Sequence, residues 1–397
     1  MKLVKLSLAA VVAAGSFSFA NAVALDEAIQ NVDLSGYLRY RYDSKSLDKK
    51  IEKASKTNSQ THKYKAQLKL TADIAENFKA TAVMQYGEVE DGSYGSKAVL
   101  NDDVNGKSYF QVRDAYLTYS NFDTDISFGR MTVGSFWTDD LLGTGIKAVN
   151  NSIEGVTLAA YMFDNYNADD DLHVNTAKNL YGIAAMVDFE PVAAELWVSH
   201  LASYATLYAV DLRADLGDED LSYYAHAQVA GSAVDSDRKK KNPKTGVKTD
   251  KDYLKNGMLW GIELGANAFG ADFNVGYLTF GDKKLSSVIM MEDNGKVMNY
   301  GEIVMDADSD KAGKKDFIFG TIGYTYEDLR FGVDIIAGNK KTDGDKFKMF
   351  EVNPRLTYNY SEKLSFEAWY ANATTKQDSN GNKDKEQRVR LEAKYSF

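Results

Sequence analysis

The sequence predicts an all-β fold, an antiparallel transmembrane β-barrel of 18 strands, with 16 as the alternative count. Three observations predict it. Apolar and polar residues alternate along many segments of roughly 9–13 residues, a length that crosses a membrane at a tilt. Short turns alternate with long polar loops, as in outer-membrane barrels. The chain has 3 prolines and no cysteine but 30 glycines and 25 tyrosines, a composition that favours strands and tight turns.

The first 22 residues have the pattern of a secretory signal peptide. Two lysines precede an apolar stretch at 6–14, and the sequence Ala-Asn-Ala at 20–22 matches a cleavage site. The apolar stretch is shorter than the ~17–25 residues that a spanning helix needs. We therefore expect the chain to be exported, with residues 23–397 forming the barrel domain.

The segment KEQRVRLEAKYSF at 385–397 shows the alternation most clearly. Every second residue from Val389 is apolar, and the other set carries five charges. The same two-faced pattern recurs at 32–43, 63–74 and 204–216. In lipid every backbone amide needs a partner, so such a sheet closes on itself, with the apolar face toward lipid and the charged face toward water. A soluble β-sandwich or β-helix is the alternative; its strands are usually shorter and its apolar face is buried.

The connections between the predicted strands fall into two classes. One proline, Pro354, lies inside a predicted strand and indicates a bulge or a misplaced boundary. The connection near 202–204 is the one short exception among the long loops. Short turns are predicted at 75–77, 121–123, 153–155, 190–191, 217–219, 269–270, 327–328 and 361–362, and long loops at 45–62, 89–107, 133–145, 165–177, 232–255, 282–314, 339–345 and 375–384.

A barrel of 16–18 strands leaves a water-filled lumen, so the segment that narrows it is of interest. The segment TVGSFWTDDLLGTGIK at 132–147 contains apolar side chains that are unusual in a solvent loop: Phe136, Trp137, Leu141 and Leu142. Packing of these side chains on the inner wall would direct Asp139 and Asp140 into the pore. We therefore predict a constriction loop here; the alternative is an external loop that packs on itself.

A basic wall is predicted opposite that loop. Strands 1 and 18 must pair to close the barrel, which would place four arginines at one height: Arg39, Arg41, Arg388 and Arg390. A similar band is expected for Lys65, Lys69 and Arg355. An acidic loop facing a basic wall would set a field across the pore that orients zwitterions and screens ions. Alternatively, the acids Asp43, Glu386 and Glu392 pair with the arginines and leave little net field.

Catalytic chemistry is not expected. Ser199 and His200 are neighbours on a strand and point to opposite faces, so they cannot act as nucleophile and base. His226 has no obvious acid partner in the sequence. The formal net charge of -10 also disfavours nucleic acid as a partner.

The mature start LDEAIQNVDLSGYLRYRYD, the signal MKLVKLSLAA, the run GTGIKAVNNSIEGVTLAAYMFD at 143–164 and the ending KYSF resemble the campylobacter-type major outer membrane porins. That resemblance implies 18 strands, a homotrimer and a general-diffusion pore that prefers cations. It also implies a Ca²⁺ ion near the constriction, for which Asp139 and Asp140 are the best-matching acids. Phe397 matches the terminal residue that outer-membrane assembly machinery reads.

The leading hypothesis is a non-enzymatic porin in the outer membrane of a Gram-negative bacterium, in contact with lipid and passing small hydrophilic solutes and ions. The alternative is a surface adhesin or binding protein that uses long external loops on a barrel anchor. Under the first hypothesis, removing the loop at 282–314 should leave conductance intact. Under the second, the protein should lose its partner.

Overall fold

The computed structural model describes most of the chain after residue 31, apart from several internal segments. Among the described residues, no helix is long and apolar enough to cross a membrane. They form one antiparallel sheet of 18 strands, and two short strands, Lys255–Asn256 and Ser287–Val288, pair in parallel apart from it. The predicted signal peptide lies outside the described part of the chain. The described residues are 32–51, 56–87, 110–166, 179–218, 220–235, 255–283, 287–288, 290–305 and 313–397.

The 18 strands follow one another around the barrel in chain order. They are β1 (Asp33–Lys49), β2 (Thr57–Ala75), β3 (Phe78–Gly87), β4 (Phe110–Asn121), β5 (Thr124–Thr132), β6 (Leu142–Ile153), β7 (Val156–Tyr166), β8 (Leu180–Phe189), β9 (Val192–Leu201), β10 (Ala205–Gly217), β11 (Leu221–Val234), β12 (Met258–Ala268), β13 (Ala271–Phe280), β14 (Lys314–Tyr326), β15 (Leu329–Lys341), β16 (Lys346–Asn359), β17 (Leu364–Gln377) and β18 (Lys383–Ser396).

The sheet closes because β1 pairs antiparallel with β18, from Tyr37 opposite Ser396 to Lys49 opposite Asp384. The backbones of Gly36 and Phe397 exchange two further hydrogen bonds of 3.0 Å. No edge strand is left in the sheet, as a bilayer requires. The predicted count of 18 strands is confirmed, and the alternative of 16 is not observed.

Short and long connections alternate as predicted. The short turns join consecutive strands at one end of the barrel, and two of them, 122–123 and 269–270, have positive φ at both residues, as a type I′ hairpin turn requires. The predicted extent of the loop at 45–62 is wrong. Strands β1 and β2 continue through most of this segment, and Leu47 still pairs with Thr57. Strands in this region pair beyond the length needed to cross lipid.

The prediction of a bulge or boundary at Pro354 is wrong. Pro354 stands in register opposite Val333 of β15, and the pairing of β16 with β17 has the same register before and after it. The ladder with β17 is interrupted at 353–354, where proline has no N–H to donate. A register shift occurs instead in β4, where Arg113 is the extra residue opposite β3.

The two faces of the wall differ as the alternation predicts. Large apolar side chains on the outer face are open, among them Ile322 with 66 % and Ile183 with 61 % of its surface exposed. The main packed core lies inside the barrel. It is formed by inward-facing strand residues together with two non-strand segments, 133–141 and 290–305. These two segments define the candidate site.

Candidate pore constriction

The loop between β5 and β6, residues 133–141, folds into the barrel. Phe136 and Trp137 are both fully buried, with ring centroids 5.7 Å apart and an edge-to-face angle of 71°. Leu141 is buried beside them, whereas Leu142 already belongs to β6. Asp139 is exposed and Asp140 half-buried, so the acids lie on the open side of the loop. The loop therefore has the inward fold that its apolar content predicts.

A second inward segment, residues 290–305, packs against this loop; we call it the strap. The sequence assigns it to an external loop at 282–314, and that assignment is wrong. The strap folds inward because it carries apolar side chains that are almost fully buried in the barrel core: Met290, Met291, Val297, Met298, Val304 and Met305. Apolar side chains in a predicted loop also identified the segment 132–147. In the strap such side chains are interspersed with charged and amide residues.

Backbone hydrogen bonds join the strap to the loop. The N–H groups of Met291 and Glu292 donate to the carbonyl of Trp137 over 3.0 and 3.2 Å, and that of Lys296 donates to the carbonyl of Phe136 over 2.8 Å. Gly295, with φ of 49°, lies so close that a Cβ would be 2.4 Å from the carbonyl oxygen of Phe136. Only glycine permits this approach without displacement of the loop.

The middle of the strap lies on the wall formed by β9 to β14. Lys296 forms an ion pair of 2.7 Å with Glu195. The N–H of Met298 donates to the side chain of Gln228 over 2.8 Å. Tyr300 donates to Glu263 over 2.7 Å, and its ring stacks on Phe319 with centroids 4.6 Å apart. The side chain of Gln228 thus takes the place of a water molecule that the N–H of Met298 would otherwise bind.

The end of the strap is held by Glu351, a fully buried carboxylate on β16. It accepts hydrogen bonds from the backbone N–H groups of Glu302, Ile303 and Val304 over 2.6, 3.1 and 2.9 Å. Arg388 of β18 donates to the carbonyl of Glu302 over 2.7 Å. The strap thus crosses from the β9 wall to the β16–β18 wall.

A buried acid, Glu292, connects the strap with the loop acids. Its Oε2 accepts hydrogen bonds from the N–H groups of Asp139 and Leu141 over 3.0 and 2.8 Å. Burial, and then the hydrogen bond and charge of Asp140, raise the pKa of Glu292 to about 9. Burial and the charge of Asp140 also raise the pKa of Asp139, which the nearby Lys65 partly offsets. Lys65 is thereby the predicted wall residue that faces the loop acids.

The four predicted arginines do not share one height, which corrects the expectation. The register places Arg39 opposite Lys394, Arg41 opposite Glu392, Arg390 opposite Asp43 and Arg388 opposite Lys45. They therefore occupy successive inward positions along the wall, because the two strand ends are staggered. Lys65 adjoins Arg39 on β2, and Lys69 lies opposite Ser35.

Carboxylates pair with most of this basic wall. Arg41 binds Glu392 and Arg390 binds Asp43, each over 2.7 Å, and Lys63 lies 3.4 Å from Asp43. Arg388 binds Glu386 over 2.6 Å. This is the pairing that the alternative interpretation of the sequence describes. Arg355, in contrast, lies apart from this group on β16, where it binds Glu302 of the strap.

Two features of the site were not found from the sequence. Arg113, the bulge residue of β4, binds Asp114 over 2.8 Å and donates to the carbonyl of Asp140 over 3.3 Å; both residues are buried. His226 does have an acid partner, since its Nε2 lies 2.7 Å from Asp211 on β10. In the sequence, the only indication of a role for Arg113 is a charge close to the end of a predicted strand. The acid partner of His226 can be identified only when the register between β10 and β11 is known.

The side chains around Asp139 and Asp140 offer few free donors for the implied Ca²⁺ ion. Among the described residues, no group of three or more histidine or acidic side chains is arranged to hold a metal ion. Glu292 and Asp140 are in hydrogen-bond contact, and one oxygen of Glu292 is already occupied by two N–H groups. Ca²⁺ needs about 6–8 oxygen ligands. The arrangement fits a shared proton and does not, as it stands, fit calcium.

The fold is similar to several solved structures. OccAB3 of Acinetobacter baumannii has a TM-score of 0.69 and 12% identity, covering 92% of this chain and 99% of its own. OpdK of Pseudomonas aeruginosa, solved with vanillate, has a TM-score of 0.67 and 14% identity, covering 92% and 98%. A BenF-like porin from Pseudomonas fluorescens Pf-5 has a TM-score of 0.66 and 15% identity, covering 92% and 99%. No curated relative matches the sequence.

A closed barrel with an apolar outer belt and a lumen narrowed by inward segments defines an outer-membrane porin-type protein. More particularly, the chain belongs to the Campylobacter major outer membrane protein family, whose model matches residues 1–397. It is accordingly a protein of the outer membrane. Its short turns then face the periplasm and its long loops the exterior.

Proposed function

We propose that the protein is a passive, cation-preferring channel for small hydrophilic solutes and ions, with no covalent step. One observation carries the proposal. The strap packs along the wall from β9 to β18, and strand β1, which adjoins β18, keeps charged side chains partly exposed, including Lys45 with 40 % and Asp43 with 21 % of the side chain exposed. A lumen that is narrowed and still lined by solvated charges suits diffusion of polar solutes.

The cation preference is supported by the balance of charges. The chain has 57 acidic and 47 basic residues excluding histidine. The arginines at 41, 388 and 390 are bound by carboxylates, which reduces the positive field they project. Asp139 is exposed on the loop and is not in an ion pair in the described part of the chain. Unpaired acids at a constriction favour cations.

The test is single-channel current through the purified full-length protein in a planar bilayer under a salt gradient. Ohmic steps with a reversal potential on the cation side are expected, and Asp139→Asn should move that potential toward zero. Glu362→Gln, an exposed turn residue, serves as the matched control. An anion-side potential for the wild type would refute the preference, and silence from folded protein would refute the channel.

The homotrimer and the role of Phe397 are also proposals. Conductance steps in groups of three would support a trimer.

Phe397 lies at the end of the barrel, where its backbone pairs with Gly36 and its ring stacks on Tyr395 with centroids 6.1 Å apart. The side chain of Phe397 remains partly exposed there, within reach of the assembly machinery. A Phe397→Ala variant should accumulate outside the membrane if the terminal ring is the signal. Because Glu292 and Asp140 are already in hydrogen-bond contact, we expect added Ca²⁺ to stabilise the wild type no more than Asp140→Asn.

The adhesin alternative needs a different test from the one that the sequence suggests. Removing 282–314 would delete the strap, so conductance would change under either hypothesis. Deleting residues 240–250, which belong to the loop predicted at 232–255 and lie outside the described residues, discriminates better. A channel keeps its conductance after that deletion, while an adhesin that uses this loop loses surface binding.

A further inference from the structure

The outer face of β14 to β18 carries a row of lysines at the external end of the barrel. We call this row the lysine rim; it consists of Lys314, Lys341, Lys346, Lys348, Lys376 and Lys383. Each lysine belongs to the face of its strand that also presents large exposed apolar side chains, such as Ile335, Phe350 and Leu391. The rim therefore faces the surroundings of the barrel and not the lumen.

The lysine rim lies at one height, just beyond the part of the wall that crosses the membrane. All six lysines are 11–13 residues from the periplasmic end of their strands. About 9–11 residues of a tilted strand span the bilayer. Phe350, for example, lies on the same face as Lys348 and two residues nearer the periplasm. The ammonium groups are thus placed at the level of the headgroups of the outer leaflet.

The strand register places these lysines directly opposite one another. Lys341 is opposite both Lys314 and Lys346. Lys376 is likewise opposite both Lys348 and Lys383. Like charges in directly opposite positions destabilise a sheet, because their Cβ atoms are only about 4.5–5.5 Å apart. Repeated contacts of this kind on one face indicate that an anion compensates them.

Carboxylates of the chain compensate only part of this charge. Lys341 forms an ion pair of 3.1 Å with Asp316, and Lys348 lies 3.8 Å from Asp378. In the part of the chain that the structure describes, the other four lysines have no ion pair. The carboxylate of Asp345, in the adjoining turn, is bound by two polar side chains instead. The rim therefore keeps a net positive charge.

The lysine rim is confined to one sector of the wall. Strands β6 to β13, all of which the structure describes, contain one lysine and one arginine, Lys147 and Arg213. Both face the lumen, since the neighbouring Ile146 and Leu212 occupy the exposed outward positions. A uniform belt of lysines around the barrel is thus absent from these strands, and the rim has a definite place on the molecule.

We propose that the lysine rim binds the phosphate groups of a phosphorylated lipid of the outer leaflet, whose acyl chains lie on the apolar face below. Each ammonium group offers three hydrogen-bond donors and attracts phosphate as a point charge. Basic clusters at a membrane surface bind anionic headgroups in this way. The apolar face below the rim favours a lipid over free phosphate, because only the lipid has chains to pack there. Binding of this lipid does not depend on conductance.

The test uses diphosphoryl lipid A as the probe, with phosphatidylcholine and inorganic phosphate as comparisons. Binding to the full-length protein, folded in a zwitterionic detergent, is measured by native mass spectrometry, which also gives the oligomeric state. The rim variant combines Lys346→Gln with Lys376→Gln. The matched control combines Lys79→Gln with Lys363→Gln, which removes two exposed lysines at the periplasmic end and changes the net charge equally.

We expect lipid A to bind the wild type and the control equally, and the rim variant about thirtyfold more weakly, as for loss of two lysines near an anionic surface. Phosphatidylcholine should not distinguish the three proteins. Equal binding of lipid A to all three would overturn the proposal. Displacement of lipid A by an equal concentration of inorganic phosphate would also overturn it, in favour of an ion site. Loss of oligomers in the rim variant with unchanged lipid binding would instead assign the rim to a contact between copies of the chain.

Thermal unfolding in the same detergent checks that the rim variant is folded. Without lipid, the rim variant should unfold at a temperature no lower than that of the wild type, because its substitutions remove like-charge contacts. Added lipid A should raise the unfolding temperature of the wild type and the control more than that of the rim variant. A lower unfolding temperature for the lipid-free rim variant would contradict the repulsion on which the proposal rests.

Discussion

At the scale of single residues, the width of the lumen depends on a few groups that connect the loop to the strap. Glu292 accepts two N–H groups of the loop through one oxygen, and its other contacts include Asp140. Two carboxyl groups in contact hold a proton more firmly than either does alone. The loop–strap contact is therefore sensitive to pH.

Glu292→Gln should abolish part of that sensitivity. The pKa of Glu292 rises from its usual 4.5 to about 9 in the folded chain, so the stability linked to its proton is complete below about pH 4.5. That stability declines as pH rises and is lost above about pH 9. Glutamine mimics the protonated acid at every pH. Between about pH 4.5 and pH 9 the thermal unfolding temperature of the wild type should fall more steeply with rising pH than that of the variant. An equal dependence on pH in the two proteins would contradict the assignment.

Gly295→Ala tests the close approach of the strap to the loop. The added Cβ would be 2.4 Å from the carbonyl of Phe136, in a backbone conformation that alanine disfavours. We expect a loss of about 1–3 kcal/mol in the local contact. Single-channel records should show larger or noisier currents. Gly344→Ala is the control, since no atom lies within 4 Å of its added Cβ; equal behaviour of the two variants would argue against a tight contact.

The residues that the sequence could not identify act across the barrel. The apolar side chains Phe136 and Trp137 predict an inward loop because they are anomalous in a solvent segment. Glu292 and Arg113 are ordinary charges in sequence, and their importance comes from burial by segments far away in the chain. Local pattern carries no information on that burial.

At the scale of elements, strands and strap differ in how far sequence predicts them. Period-two alternation gives the strands and the short turns, because each strand has one lipid face and one water face. The strap has no regular period: its buried methionines and valines are spaced irregularly, and its backbone is satisfied by wall side chains such as Gln228 and Glu351. A segment without repeating hydrogen bonds has no repeating sequence signature.

Glu351→Ala should release the end of the strap. The change leaves three backbone N–H groups without their acceptor, and each buried group left unpaired costs about 1–3 kcal/mol. Limited proteolysis should then cut within 299–305 faster than in the wild type. Glu362→Ala, in an exposed turn, should not alter the cleavage rate. Equal protection in both variants would show that other contacts suffice to hold the strap.

At the scale of the whole molecule, the barrel is complete without its inward segments. All 18 strands pair with two neighbours, and β1 and β18 close the ring. The loop and strap attach to this wall mainly through side chains. Scaffold and constriction are thus separable, although apolar packing inside the lumen adds to the stability of both.

Replacing residues 290–305 by a short glycine–serine linker should therefore leave a folded, wider channel. The far-ultraviolet circular dichroism of strands should persist, and single-channel conductance should rise, because the strap no longer fills the β9–β16 side. A matched replacement of residues 240–250 should leave conductance unchanged. Loss of the strand signal after strap removal would mean that the core inside the lumen is needed for closure.

The contact between Gly295 and Phe136 also has an evolutionary consequence. The aperture is set where two segments more than 150 positions apart in the chain meet, and a single nucleotide change can alter either side of that meeting point. A population exposed to a toxic solute can therefore reduce uptake by substitutions at the junction, while the scaffold, its export and its assembly stay intact. Resistance acquired in this way would leave the amount of protein in the membrane unchanged.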